Sequence, residues 1–201
     1  MKWIVITSPD FLSGEASAIS LLLQKGVDSV HLRKPFSDKI DIQKLLEEIP
    51  SKFHGAIVLH DHFELCSRYE LQGIHLNSRN HDIPRGFKGS LSCSCHSIEE
   101  VEKWRDKMNY VFLSPIFNSI SKQGYESAFS FDLLEKARQE KIINEKVVAL
   151  GGVTYSAIPW LQSLSFGGVA FLGDVWNHMQ THDPQGLVKY LEEGRRIMGK
   201  N

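Results

Sequence analysis

Residues able to move a proton or hold an anion recur in this chain at one kind of place, the C-terminal edge of a short apolar run. In Val30-His31-Leu32-Arg33-Lys34 an imidazole and a guanidinium stand two residues apart. On a strand His31 and Arg33 would point the same way and Lys34 to the other face. His60-Asp61-His62, His75 with Asn77, and Ser94 with His96 close three further runs. Ser119, Ser121 and Lys122 follow a later run, and Gly151-Gly152 and Gly173-Asp174 follow the last ones. A near-neutral imidazole suits general acid–base work. Glycine leaves bare backbone N–H groups that a phosphate can approach closely. One polar side chain at a strand end is more often structural than functional. A ring of them on successive strands has no explanation in packing.

The runs that carry these residues lie at 3–6, 29–32, 56–59, 73–76, 91–95, 110–113, 146–150 and 168–172. They are short and continuously apolar, as parallel strands covered on both faces are. Helical patterns alternate with them at 12–24, 40–49, 63–69, from Ser97 onward, and at 131–140, 157–164 and 187–197. Gly26 and Pro50 are stop signals, and Glu99 and Glu100 suit a helix's first turn. Residues 77–89 and 114–128 read as loops, the second long enough to act as a functional lid. Strand–helix alternation implies parallel pairing with right-handed crossovers. The reading is therefore α/β, a single (β/α)8 TIM barrel over residues 1–201, in preference to an open doubly wound sheet. In such barrels chemistry sits at the C-terminal strand ends, and the loops after strands seven and eight often bind phosphate. That points to Gly151, Gly152 and Gly173 as amide donors to a phosphate.

Composition narrows the partners. With 201 residues and 42% hydrophobic content the chain can bury a full core. A net charge of −1, from 23 basic and 24 acidic residues, supplies no field to draw nucleic acid or an anionic membrane. Any anion site must be local. No apolar run approaches the ~20 residues needed to cross a bilayer, and the opening Met-Lys-Trp-Ile-Val-Ile-Thr is too short for a signal peptide. A cytoplasmic protein is expected, with a small-molecule partner, no nucleic acid and no membrane; a homo-oligomer is compatible. The cysteines Cys66, Cys93 and Cys95 are odd in number and irregularly spaced, so they read as small core residues.

Several segments together resemble one family. They are Val30-His31-Leu32-Arg33, Leu59-His60-Asp61, Gly73-Ile74-His75-Leu76, Ser94-Cys95-His96-Ser97 with Glu99-Glu100, Ser114-Pro115-Ile116-Phe117 running to Lys122, Ala149-Leu150-Gly151-Gly152-Val153 and Gly168-Val169-Ala170. Over nearly the whole chain they resemble the superfamily of thiamine-phosphate synthase and thiazole tautomerase. The synthase joins a hydroxymethylpyrimidine diphosphate to a thiazole phosphate and releases pyrophosphate. The resemblance implies Gln and Arg at the end of strand two with Lys two residues on; here stand His31, Arg33 and Pro35. It implies a magnesium-binding Asp at Asp61 and a second one where this chain has Asn80. Ser94 and Lys122 are kept, and Ser119 and Ser121 replace the family's two threonines.

Magnesium is held by hard anionic oxygens, and a departing pyrophosphate needs its charge stabilised. One carboxylate and one lysine fewer favour the tautomerase, which moves a proton without metal. That reading gives His96 the proton, Lys122 and Arg33 catalytic roles, and the phosphate or substrate to His31, His60, Ser94, Ser119, Ser121, Gly151, Gly152 and Gly173. No cofactor is then expected. The alternative is a divergent synthase with Mg2+ on Asp61. Two others are a non-catalytic phosphate binder and a zinc enzyme using His31, His60, His75 and His96.

Overall fold

The computed structural model of the protein describes residues 1–117, 129–180 and 184–200. The strands β1 (Lys2–Ile6), β2 (Ser29–Leu32), β3 (Ile57–Leu59), β4 (Gly73–Leu76), β5 (Ser90–Cys95), β6 (Tyr110–Leu113), β7 (Val147–Leu150) and β8 (Gly168–Phe171) form a closed parallel barrel in sequence order. The ring closes by pairing of β1 with β8, Trp3 opposite Val169 and Ile4 opposite Ala170. Around it lie α1 (Glu15–Gln24), α2 (Lys39–Glu48), α3 (Glu64–Arg68), α4 (Ile98–Trp104), α5 (Phe131–Gln139), α6 (Ile158–Ser163), α7 (Gly173–Gln180) and α8 (Pro184–Ile197). The (β/α)8 barrel expected from the alternation is therefore what the chain forms. None of the described helices is long and apolar enough to cross a membrane.

The side chains explain most boundaries. Leu12 does not start the first helix, because Gly14 at φ 73° reverses the chain first. Ser97 caps α4 by accepting the Glu100 amide, and Ser130 caps α5 by accepting the Leu133 amide. Residues 77–89 contain no helix, so β4 and β5 are joined by a loop. The sequence reading missed α7: it took Gly173-Asp174 as loop, whereas Gly173 opens a helix with Asp174 in its first turn. The expected lid lies largely in 118–128, outside the described residues, as do Ser119, Ser121 and Lys122.

Two apolar layers hold the barrel. Trp3, Val5, Val30, Leu32, Ile74 and Val111 belong to the large core shared with the helices. Ile4, Ile6, Tyr110, Phe112, Val148 and Ala170 form a separate inner cluster, joined by Leu150 and Leu172. The alternation of strand side chains separates the two. The inner apolar cluster comes from β1, β6, β7 and β8. Buried polar residues His31, His75 and Ser92 come from β2, β4 and β5, and His60 follows β3. The interior is thus half apolar and half imidazole and hydroxyl. Cys66, Cys93 and Cys95 are free thiols and buried, as expected of core residues.

Candidate active site

A cavity of about 460 Å3 opens at the mouth of the barrel, within the usual range for small-molecule sites. Ile6, Phe112, Leu150 and Leu172 give it apolar walls. Arg33, His60, His75, Asn77, Arg79, Ser94 and His96 give it polar ones. Of the residues expected from sequence, Arg33, His60, Ser94 and His96 are brought together here.

His31 is not among them. It lies fully buried beneath the cavity, with Nδ1 2.9 Å from Nε2 of His60 and Nε2 2.7 Å from the Tyr110 hydroxyl. With both nitrogens engaged it supports His60 and does not reach a ligand. His75 is held the same way, between the Ser92 and Ser94 hydroxyls at 2.9 Å each. Its ring stacks on His60 with centroids 4.3 Å apart. Desolvation lowers all three pKa values: His31 and His60 fall well below the ordinary range and His75 to about 3. Repulsion from His75 and His31 adds to the fall at His60, as do Arg33 and Arg79. These are neutral rings. Ligand atoms of His31, His60 and His75 lie within 4.8 Å of one another, so the zinc expectation has a geometric basis for three of its four histidines. An ion there would have to break the hydrogen bonds that already occupy both nitrogens of His31 and of His75.

The loop after β4 shapes the charged side of the mouth. Asn77 Oδ1 accepts the Arg79 and Asn80 amides at 3.0 and 3.2 Å, a turn closed by the Asn side chain itself. Asn77 Nδ2 donates to the His60 carbonyl at 2.8 Å, tying the turn to the end of β3. Arg79 therefore projects over the mouth, with Nη2 3.3 Å from Asp61 Oδ1. The Arg33 guanidinium has no side-chain partner among the described residues and lines the cavity. Burial and then repulsion from Arg79 lower its pKa, while Asp61 opposes the fall. Arginine nonetheless stays protonated. Sequence reasoning did not single out Arg79, although Asn77-Ser78-Arg79-Asn80 carries the residues of such a turn.

Magnesium does not suit the described residues. Asp61 is the one carboxylate at the expected position, and its Oδ1 already accepts Asn80 Nδ2 at 2.8 Å as well as Arg79. Asn80 Nδ2 also donates to the His60 carbonyl at 3.2 Å, so both neighbours of this nitrogen are acceptors and the amide orientation is fixed. Asn80 thus turns N–H, not oxygen, toward Asp61. Asp61 Oδ2 is buried with no partner among the described residues, a single open acceptor where magnesium needs an octahedron of oxygens.

His96, after β5, also lines the cavity. Its Nδ1 lies 3.0 Å from the Ser114 carbonyl, which can only accept, so the neutral ring is protonated at Nδ1 and basic at Nε2. Its amide is held 2.6 Å from Glu100 Oε2. At the ends of β7 and β8, Gly151 and Gly152 adopt φ of 94° and 62°, and the first-turn N–H groups of α7 have no intrahelical partners. A Cβ on Gly151 would lie 2.8 Å from Pro115 Cα. Gly151→Ala is therefore expected to lower the melting temperature by about 5 °C, from left-handed strain and a backbone clash costing about 1–3 kcal/mol. An unchanged melting curve would refute this account of the turn.

A closed parallel barrel with two guanidiniums, Arg33 and Arg79, and glycine-rich turns at the C-terminal strand ends defines a (β/α)8 protein with its cavity at the usual end of the barrel. The family model described as thiamine monophosphate synthase matches residues 4–175, and the chain belongs to that family. The solved structure of thiamine phosphate pyrophosphorylase from Bacteroides thetaiotaomicron is 37% identical, covers 99% of this chain and 98% of its own, and superposes with a TM-score of 0.90. The thiamine-phosphate synthase of Dictyoglomus turgidum is 24% identical over 86% of this chain and 81% of its own length. That of Clostridium tetani is 25% identical over 85% and 86%. This chain is thus an enzyme of the thiamine-phosphate synthase family. These relatives favour the synthase over the tautomerase that the sequence alone suggested.

Proposed function

We propose that the protein couples a hydroxymethylpyrimidine diphosphate to a thiazole phosphate and releases pyrophosphate. The observation that carries this reading is Arg33, a half-buried guanidinium on the cavity wall with no side-chain partner among the described residues and with Arg79 beside it. A leaving diphosphate gathers negative charge, and preorganised cations in a water-poor site stabilise it most where it develops. Arg33 supplies one such cation directly. Gly151, Gly152 and the amide of Gly173 at the start of α7 suit the thiazole phosphate, on the side of the mouth formed by β7 and β8. Ile6, Phe112, Leu150 and Leu172 exclude water from the reacting rings. His60 and Ser94 complete the polar wall, and Lys122, Ser119 and Ser121, which lie outside the described residues, are proposed as further anion-binding groups. A cytoplasmic location is part of the same proposal.

One observation favours a second reading. His96 lines the cavity, and with Nδ1 bonded to the Ser114 carbonyl its neutral ring keeps the lone pair at Nε2, the kind of group needed to move a proton on a thiazole carboxylate phosphate. Supplying the purified protein with either substrate set separates the two. Formation of thiamine phosphate, lowered about 100-fold by Arg33→Ala (about 2.7 kcal/mol) and less than tenfold by His96→Ala, is the expected result. Aromatisation of the thiazole carboxylate phosphate that vanishes in His96→Ala, without coupling, would replace the synthase reading by the tautomerase.

A further inference from the structure

The mouth carries a cation where the family's second metal-binding carboxylate would stand one residue on. Arg79 precedes Asn80, and its guanidinium rests on Asp61 at 3.3 Å while lining the cavity. The Phe36 ring lies 5.9 Å from its guanidinium carbon, so the group is bounded by an aromatic face and a carboxylate. Two features set this position and a third disfavours a metal. The Asn77 turn places the Arg79 backbone. Asp61 fixes the head group. Asn80 Nδ2, bonded to Asp61 and to the His60 carbonyl, supplies a proton donor where a metal needs a lone pair.

Resting on the synthase reading, we propose that Arg79 takes the place of the divalent cation: Arg33 and Arg79 together hold the diphosphate, and its binding does not depend on metal. The chemistry fits. A diphosphate presents several oxygens on two phosphorus atoms, and two planar guanidiniums can each take a bidentate pair. Asp61 is then a positioning residue that aims Arg79 and touches neither substrate nor metal. A divalent ion on Asp61 would have to displace Arg79 from Oδ1 or sit against its positive charge. The site therefore selects against the ion with the same residue that replaces it.

The test is calorimetric titration of the full-length protein with inorganic pyrophosphate, in EDTA and again in excess Mg2+. Binding in EDTA is expected, with affinity changed less than threefold by Mg2+. Arg79→Ala should weaken binding in EDTA at least tenfold, and Arg79→Lys should recover part of it. Asp61→Asn should leave binding in EDTA within about fivefold, because it loosens Arg79 without removing the cation. Thermal melting of each variant shows that it is folded; Arg79 lies on an exposed turn, so little change is expected. Pyrophosphate binding that requires Mg2+ and is abolished by Asp61→Asn would overturn the proposal, as would Arg79→Ala binding like the unsubstituted protein. Thiamine phosphate synthesis that proceeds only with Mg2+ would sink this proposal and leave the synthase reading intact. Metal-free, Arg79-dependent pyrophosphate binding without any coupling would do the reverse.

Discussion

Acidification from pH 6 to pH 4 is expected to lower the stability of this protein markedly, through three histidines that cannot charge where they sit. His31, His60 and His75 are buried at the barrel's polar half, and their folded pKa values lie below the ordinary value near 6.5, that of His75 at about 3. The unfolded chain protonates them as pH falls through about 6.5, while the folded protein does not. Stability is therefore complete above that pH and declines below it, at about 1.4 kcal/mol per pH unit for each fully linked histidine. Between pH 6 and pH 4 that is about 2.5 kcal/mol for His75, and His31 and His60 shift stability in the same direction. For a domain stable by about 5–15 kcal/mol this is a large fraction of the margin. Urea denaturation at half-unit pH steps measures it. His75→Asn should flatten the slope below pH 6 by about one proton. A stability profile unchanged down to pH 4, or a slope untouched by the substitution, would show that these rings are not the linked groups.

The second large effect is expected at Lys34, a residue that belongs to the fold and not to the chemistry. Its side chain and that of Glu15 are 0% and 1% exposed. Its Nζ lies 2.7 and 2.8 Å from the Glu15 oxygens and donates also to the Ser8 and Asp10 carbonyls, at 2.9 and 2.7 Å. The ammonium thus clamps the connection from β1 to α1 onto the end of β2. Breaking a buried pair from one side leaves an uncompensated charge and costs about 3–5 kcal/mol. Glu15→Gln and Lys34→Met should each lower the melting temperature by about 10 °C. The double variant Glu15→Leu with Lys34→Met should lose less than the sum of its parts, since no charge is then stranded. Strict additivity in that cycle, or a cost below about 1 kcal/mol for Glu15→Gln, would mean that water reaches the pair. This role also settles why Lys34 does not replace the family lysine missing at Pro35. It faces away from the cavity, as its position in the strand alternation requires.

Where the sequence spoke, it did so through period and punctuation. Eight continuous apolar runs, each followed by a turn or a helix, admit few arrangements once crossovers must be right-handed, and the closed barrel follows. The alternation within Val30-His31-Leu32-Arg33-Lys34 separated the interior from the outer layer correctly. The polar residues at the strand ends marked the mouth, and Arg33, His60, Ser94 and His96 do line it. Local signals failed where two patterns competed. Gly173-Asp174 reads equally as a turn and as a helix start, and α7 was lost there.

Which of the polar residues face a ligand was a matter of depth, and depth is not written along a strand. His31 and Arg33 share a face and differ by one pleat, yet one is sealed between His60 and Tyr110 and the other opens on the cavity. Tyr110 lies 79 positions from His31 in the chain, and only closure of the barrel brings them together. The same holds for Arg79 on Asp61, 18 residues apart. The sequence by itself determined the fold, the end of the barrel that carries the site, and the loss of a carboxylate at Asn80. The tertiary structure alone decided which histidines stay neutral and which guanidiniums line the cavity, because burial and charge neighbours arise from closure of the barrel and not from order along the chain.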